Sequence, residues 1–150
     1  MSDDSQLKGL KGWLKIVGLS LILSVFYLLN DSLTYYDLLI DGISNDEGYA
    51  SALFAYLVYL FICCTIMVVA HIYLVCLFFL KRKLFKKLFI TILFIPLISL
   101  PVTTSFEFVF LPELFNVVDF IKELVVELLV AALWLPYMFL SKRVKATFIE

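Results

Sequence analysis

Residues 50–80 form one long apolar segment that contains no Asp, Glu, Lys or Arg. As a helix this segment would be about 46 Å long, whereas the hydrocarbon core of a bilayer is about 30 Å thick. The rest of the chain has the same character, because 63% of its 150 residues are hydrophobic. A soluble domain has about 45–50% apolar residues, and a sphere of this size cannot bury such an excess. The sequence therefore excludes a water-soluble monomer and predicts an integral membrane protein.

Three further apolar segments are long enough to cross a membrane. Together with the first, the predicted spans cover residues 12–29, 50–80, 88–106 and 120–140. Each is close to the roughly 20 residues that a spanning helix needs, and no alternation at period two indicates a barrel. The predicted fold class is all-α, an integral membrane four-helix bundle, with residues 1–150 forming a single four-span domain. Pro96 and Pro101 remove helix donors from the third span, which predicts a kink or a break there.

Basic residues concentrate on one side of the predicted spans. The N-terminus, the loop after the second span and the C-terminal tail hold all of the 12 basic residues except Lys122. The positive-inside rule then places both termini and the 81–87 loop in the cytoplasm. No small-x-small cleavage pattern follows the first span, so we expect it to remain attached as an anchor.

Aromatic and basic side chains mark the predicted cytoplasmic interface. The rings of Trp and Tyr suit the headgroup level, and a lysine one turn inside a span can snorkel to the same depth. The residues that fit this description are Trp13, Lys15, Trp134, Tyr137, Lys142 and Arg143.

A polar stripe crosses the start of the fourth span. Four residues, spaced by three, four and four, share one face of the predicted helix: Asn116, Asp119, Glu123 and Glu127. A carboxylate as deep as Glu127 is costly in hydrocarbon, which predicts that it faces the bundle interior, a partner or a water-filled vestibule. Two interpretations stay open. The stripe is either a proton or cation path, or a polar seam satisfied by residues such as Lys122 or His71.

The single histidine and the three cysteines all lie in the second span. We expect His71 to be neutral and hydrogen-bonded to a hydroxyl or carbonyl on a neighbouring helix, with a proton relay as the alternative. Cys64 and Cys76 would be about 18 Å apart along a helix, too far for a disulfide. Cys63 and Cys64 have no histidine nearby, so the sequence predicts packed thiols and no metal site.

The two ends of the chain carry more specific residues. Residues 9–14 read GLKGWL, and the end of the fourth span reads LWLPY followed by SKRVKATF. This combination resembles the YdgK-like group, a family of small bacterial inner-membrane proteins with a domain of unknown function. In that group GWL precedes the first of four spans, and W-x-P-Y…S-K-R-V-K-x-T-F ends the chain. The resemblance implies a multi-pass, four-helix protein of the bacterial inner membrane with no established activity.

Motifs for catalysis are absent from the sequence. It contains no Ser-His-Asp order, HExxH, Gly-rich phosphate loop or Cys-His cluster. We therefore expect a protein that is not an enzyme and needs no cofactor or metal. Small-residue surfaces at Ser20-xxx-Ser24 and Ala131-Ala132 favour close approach of helices. The leading hypothesis is an accessory or regulatory subunit, or an oligomer, that works through helix–helix contacts.

Two other functions are compatible with the same residues. One is a small transporter or channel that uses the acidic stripe, and the other is an immunity or defence protein against a membrane toxin. The expected partners are the lipid bilayer and either another inner-membrane protein or a second copy of the chain. The basic 81–87 loop indicates membrane orientation and contact with anionic lipid, and we expect no nucleic-acid partner.

Overall fold

Four long α-helices make up most of the chain. The computed structural model describes residues 12–44 and 51–148, so the basic residues at positions 8 and 11 lie outside the described residues. The helices are α1 (Trp13–Ser44), α2 (Ser51–Phe79), α3 (Leu84–Phe110), α4 (Val117–Leu140) and the short α5 (Lys142–Thr147). The first four are long and apolar enough to cross a membrane. The described residues include no strand, and the predicted all-α, four-helix membrane fold class is confirmed.

The first helix is longer than the span predicted at residues 12–29. It continues through residues 30–44, which include Asp31, Asp37 and Asp41. The same stretch contains several Leu and Ile residues and no proline that would interrupt a helix. Because helix propensity does not depend on apolarity, the charges that end the apolar segment do not end the helix.

A glycine in the left-handed region precedes α1. Gly12 has a φ of 61°, and its carbonyl accepts a hydrogen bond of 3.0 Å from the Lys15 N–H. A residue with a Cβ is disfavoured at positive φ, so glycine suits this turn into the helix. The glycine of the GWL motif therefore has a backbone role.

The third helix passes through both of its prolines. The sequence predicts a kink or a break at Pro96 and Pro101, but α3 is one helix from Leu84 to Phe110, so the break is wrong. Each proline removes a single helix donor, and a membrane helix tolerates this loss when the neighbouring turns keep their bonds. Ser99 Oγ donates to the Pro96 carbonyl at 3.3 Å, within the turn that follows the first proline.

The turn between α2 and α3 places a lysine in the left-handed region. Lys81 has a φ of 54°. Its N–H donates to the Phe78 carbonyl at 3.2 Å, and the Arg82 N–H donates to the Leu77 carbonyl at 3.1 Å. These two bonds form a Schellman motif, in which the left-handed residue is usually glycine. A residue with a Cβ costs about 1 kcal/mol more than glycine in this conformation.

Val17–Val75 form one compact unit, made from most of α1 and α2. Its interior is apolar, with Leu21, Val68 and Leu74 among the buried side chains. Contacts between the two helices include the Leu28 carbonyl with Cys64 Sγ at 3.3 Å and Ser32 Oγ with Thr65 Oγ1 at 3.2 Å. The rings of Tyr36 and Phe61 also meet, with centroids 6.1 Å apart.

The described residues of 1–16 and 76–150 form the other compact unit, which contains the start of α1, the end of α2 and all of α3, α4 and α5. In it α3 and α4 pack against each other. The rings of Phe89 and Trp134 have centroids 6.4 Å apart, and Lys86 Nζ lies 4.9 Å from the centroid of the Phe139 ring. Because the position on α4 rises as the position on α3 falls, the two helices run antiparallel.

Candidate functional site

Glu127 lies on the face of α4 that packs against α3. Buried and half-buried positions of this helix recur at helical spacing, at residues 120, 124, 127, 131, 134 and 138, and residues 135 and 137 near its end are half-buried as well. Ala131 and Met138 are the buried members of this face, and Glu127 is half-buried. The Glu127 carboxylate makes no hydrogen bond or ion pair with a described residue. The face therefore contains one carboxylate among apolar side chains.

The antiparallel register shows which part of α3 is level with Glu127. Between the contacting pairs Phe89–Trp134 and Lys86–Phe139, the position on α4 increases by about as much as the position on α3 decreases. Extended along the helices, this register places Glu127 level with residues 96–98 of α3. That level includes Pro96, where α3 lacks a backbone donor. The carboxylate thus lies close to the level at which the neighbouring helix lacks one backbone donor.

The other members of the predicted stripe have local roles at the start of α4. Asn116 is the N-cap residue, and its side-chain oxygen accepts a hydrogen bond of 2.9 Å from the Val118 N–H. Asp119 forms an ion pair with Lys122 at 3.0 Å, and both side chains are exposed. Capping and an acidic residue in the first turn both stabilise a helix N-terminus.

Glu123 is exposed, although it lies only one turn before the half-buried Glu127. A step of four residues advances 400° around a helix, so each such step shifts the side chain by about 40°. Over Asp119, Glu123 and Glu127 the stripe therefore turns from the exposed side towards α3. Lys122 is one of the two residues proposed from the sequence to satisfy the polar seam. It instead forms an ion pair with Asp119 at the start of α4.

His71 bonds to its own helix. Its Nδ1 lies 2.9 Å from the Met67 carbonyl, one turn earlier in α2. A carbonyl can only accept, so Nδ1 carries the proton in this bond. The sequence predicts a partner on a neighbouring helix, and this prediction is wrong for Nδ1, because the carbonyl four residues earlier is already within reach. The ring is half-buried.

The three cysteines are free thiols in α2. Cys64 Sγ donates to the Leu28 carbonyl of α1 at 3.3 Å, which makes it a contact between the two helices of its unit. Cys63 is half-buried and Cys76 is exposed. No group of three His, Cys, Asp or Glu side chains arranged for a metal ion occurs in residues 12–44 and 51–148.

The predicted interface residues differ in their surroundings. Trp13 and Lys15 are exposed at the start of α1, and Lys142 is exposed in α5. Trp134 is half-buried and makes edge-to-face contacts with the rings of Phe89 and Tyr137, whose centroids lie 6.4 Å and 6.3 Å from its own. The side chain of Arg143 lies outside the described part of the structure.

The two small-residue surfaces predicted from the sequence differ in their surroundings. Ser20 Oγ and Ser24 Oγ donate to carbonyls of their own helix, at 2.9 Å and 2.8 Å. These bonds satisfy the hydroxyls and leave a small surface on α1. Ala131 is buried on the α3-facing side of α4, whereas Ala132 is exposed.

An aromatic cluster that the sequence analysis missed fixes the C-terminal segment. Phe148 stacks on Phe85 with ring centroids 4.4 Å apart, and Phe78 lies 5.2 Å from Phe85 and 5.9 Å from Phe148. Val144 and Phe148 are both buried. Val144 and Phe148 lie four positions apart in the SKRVKATF segment. This spacing puts both side chains on one face and is the sequence signal for a helical turn that packs through an apolar side.

Ser141 connects α4 to α5. Its N–H donates to the Tyr137 carbonyl at 3.1 Å, and its side-chain oxygen accepts from the Val144 N–H at 3.4 Å. One residue therefore ends α4 and caps α5. Thr147 is buried against the same unit. The C-terminal motif is thus a docked helix turn that follows the fourth span.

These features define a multi-pass membrane protein with four membrane-length helices and no extended soluble domain among its described residues. The chain belongs to the family described as protein of unknown function (DUF2569), whose model matches residues 7–149. The comparisons with curated proteins and with solved structures each found no match.

Proposed function

We propose that this chain is a non-catalytic protein of the bacterial inner membrane that works through helix–helix contacts, either as an accessory or regulatory subunit or as an oligomer. The observation that carries this proposal is the position of Glu127. It lies ten residues into a helix of 24 residues and has no partner among the described residues. A carboxylate in that position is costly next to lipid, and a neighbouring polypeptide can supply the donor that it lacks.

The packing of the helices supports the same proposal. Between residues 117 and 133, the α3-facing side of α4 is a narrow row, and the positions beside it are exposed, including Val130 and Val126. In the unit formed by Val17–Val75, the serine hydroxyls of α1 are satisfied within the helix, which leaves surface that another helix can approach closely.

The bacterial inner membrane as the location rests on the two terminal motifs. Within the family, GWL at residues 12–14 and the C-terminal segment favour the YdgK-like group. Gly12 of the first motif has the left-handed backbone conformation that favours glycine. Phe148, the last residue of the second motif, stacks on Phe85. Both motif residues therefore have a structural role in a four-span protein.

Purification from native membranes in mild detergent tests the proposal. The expected result is a particle that holds either several copies of the chain or a second membrane protein at a fixed ratio, as determined by mass spectrometry and particle mass. Glu127→Gln keeps the shape and hydrogen-bonding capacity of the side chain, so the particle should persist. Glu127→Leu should weaken it, whereas Glu123→Leu, at the exposed neighbour, serves as the matched control. Particles with one chain and no protein at a fixed ratio would contradict the proposal.

A further inference from the structure

Basic side chains from two separate segments lie at one end of the unit that contains α3, α4 and α5. The turn between α2 and α3 and the first turn of α3 supply five of them, and α5 supplies two. We call these residues the basic end: Lys81, Arg82, Lys83, Lys86, Lys87, Lys142 and Lys145.

Aromatic contacts hold the two segments together. Phe148, directly after α5, stacks on Phe85 of α3, and both lie next to Phe78 at the end of α2. Val144 is buried, whereas Lys142 and Lys145 are exposed. The docked α5 therefore turns its apolar side to the turn and its lysines outward, beside the basic residues of that turn.

Among the described residues, no acidic side chain pairs with the basic end. Residues 76–106 and 128–148 contain no Asp or Glu. Lys81 has the left-handed backbone that favours glycine, and it places a charge at the tip of the turn.

Exposed apolar side chains lie directly beside these charges. Phe79 and Leu80 precede the basic turn and are 53% and 63% exposed, and Leu140, just before α5, is 75% exposed. A surface that exposes hydrocarbon and ammonium groups side by side fits the boundary between acyl chains and headgroups. A free phosphate or an RNA would match the charges but not the apolar residues.

We infer that the basic end is a binding site for anionic phospholipid headgroups, built jointly by the α2–α3 turn and the docked α5. The phosphate of the lipid contacts the lysines of both segments, and its acyl chains cover the adjacent apolar residues. The inference does not depend on a protein partner, because every residue in it belongs to one unit of one chain.

Lipid titration of the purified full-length protein tests this inference. The protein is delipidated in detergent, and phosphatidylglycerol or phosphatidylcholine is added while bound lipid is counted by native mass spectrometry. Phosphatidylglycerol should bind at least tenfold more tightly than phosphatidylcholine. Inorganic phosphate should not compete at millimolar concentration, which separates a headgroup site from a free-anion site. Equal affinity for the two lipids would overturn the inference, as would binding of an oligonucleotide in place of lipid.

Charge variants test which residues form the site. Lys142→Gln combined with Lys145→Gln should lower the affinity for phosphatidylglycerol by about fivefold for each lysine removed. Lys122→Gln is the matched control, since Lys122 pairs with Asp119 and lies at the start of α4. An unchanged affinity in the double variant, or an equal loss in the control, would contradict a joint site.

Two further variants separate charge from folding. Phe148→Ala removes the stacking partner of Phe85 and keeps every lysine, so it should lower lipid affinity as much as the loss of both α5 lysines. Lys81→Gly relieves the left-handed strain and removes one charge. It should raise the unfolding temperature in detergent without lipid and lower the affinity for phosphatidylglycerol. A variant that is more stable and binds the lipid as well as before would contradict a role for this turn.

Discussion

The rings of Phe85 and Phe148 stack with centroids 4.4 Å apart and planes inclined by 24°. This pair joins the first turn of α3 to the residue that follows α5, although the two are far apart in the sequence. It brings the last described segment of the chain back onto the α2–α3 turn.

Loss of this stacking should release α5 without unfolding the long helices. Phe148→Ala removes a buried ring, and an aromatic pair contributes about 0.5–1.5 kcal/mol beyond the area that it buries. We expect amide hydrogen exchange of residues 142–148 to rise about tenfold or more. Phe148→Trp should retain most of the protection, and Phe108→Ala, which removes a ring that contacts Phe115, is the control. Unchanged exchange in α5 would show that the stacking does not hold it.

Glu127 should tolerate loss of its charge better than loss of its polarity. Glu127→Gln preserves shape and hydrogen bonding, so abundance in the membrane should stay near wild type, whereas Glu127→Leu should lower it. In liposomes with an internal pH dye, we expect wild type and Glu127→Gln to show the same background proton flux. A flux that is above background in the wild type and lost in Glu127→Gln would instead favour the proton path.

The three thiols should be dispensable for insertion. Simultaneous replacement of Cys63, Cys64 and Cys76 by Ala should leave abundance largely intact, because none of them closes a disulfide. Cys64 donates a hydrogen bond to the Leu28 carbonyl of α1, so Cys64→Ser, which keeps a donor for that carbonyl, is the informative companion. Disappearance of the triple variant from the membrane, with Cys64→Ser intact, would identify a structural requirement for that donor.

Labelling of single cysteines in intact cells tests the predicted orientation. The distribution of Lys and Arg predicts that position 83 and both termini are cytoplasmic, and that position 41 is outside. In a cysteine-free background, an impermeant maleimide should label Asp41→Cys and leave Lys83→Cys protected until the cells are opened. The reverse pattern would overturn the topology.

Much of the fold follows from the apolar segments, and the deviations have physical causes. The four helices coincide with the four predicted spans, but α1 reaches Ser44 because helix formation does not require apolar residues. The cap at Asn116 and the ion pair of Asp119 depend on where α4 begins, and a pattern of spacings leaves that boundary uncertain by several residues. The docking of Phe148 on Phe85 is a contact between distant parts of the sequence, which no local pattern predicts.

Photo-crosslinking in native membranes tests the central claim, contact between helices of different chains, most directly. A photoreactive residue at Val130 lies about 60° around α4 from Glu127, whereas one at Leu129 lies about 200° away and is 65% exposed. The expected result is an adduct of discrete mass with a second copy or another membrane protein from position 130, and mainly lipid adducts from position 129. If both positions react with lipid alone, at native expression, the chain has no helix partner at this face and the account is wrong.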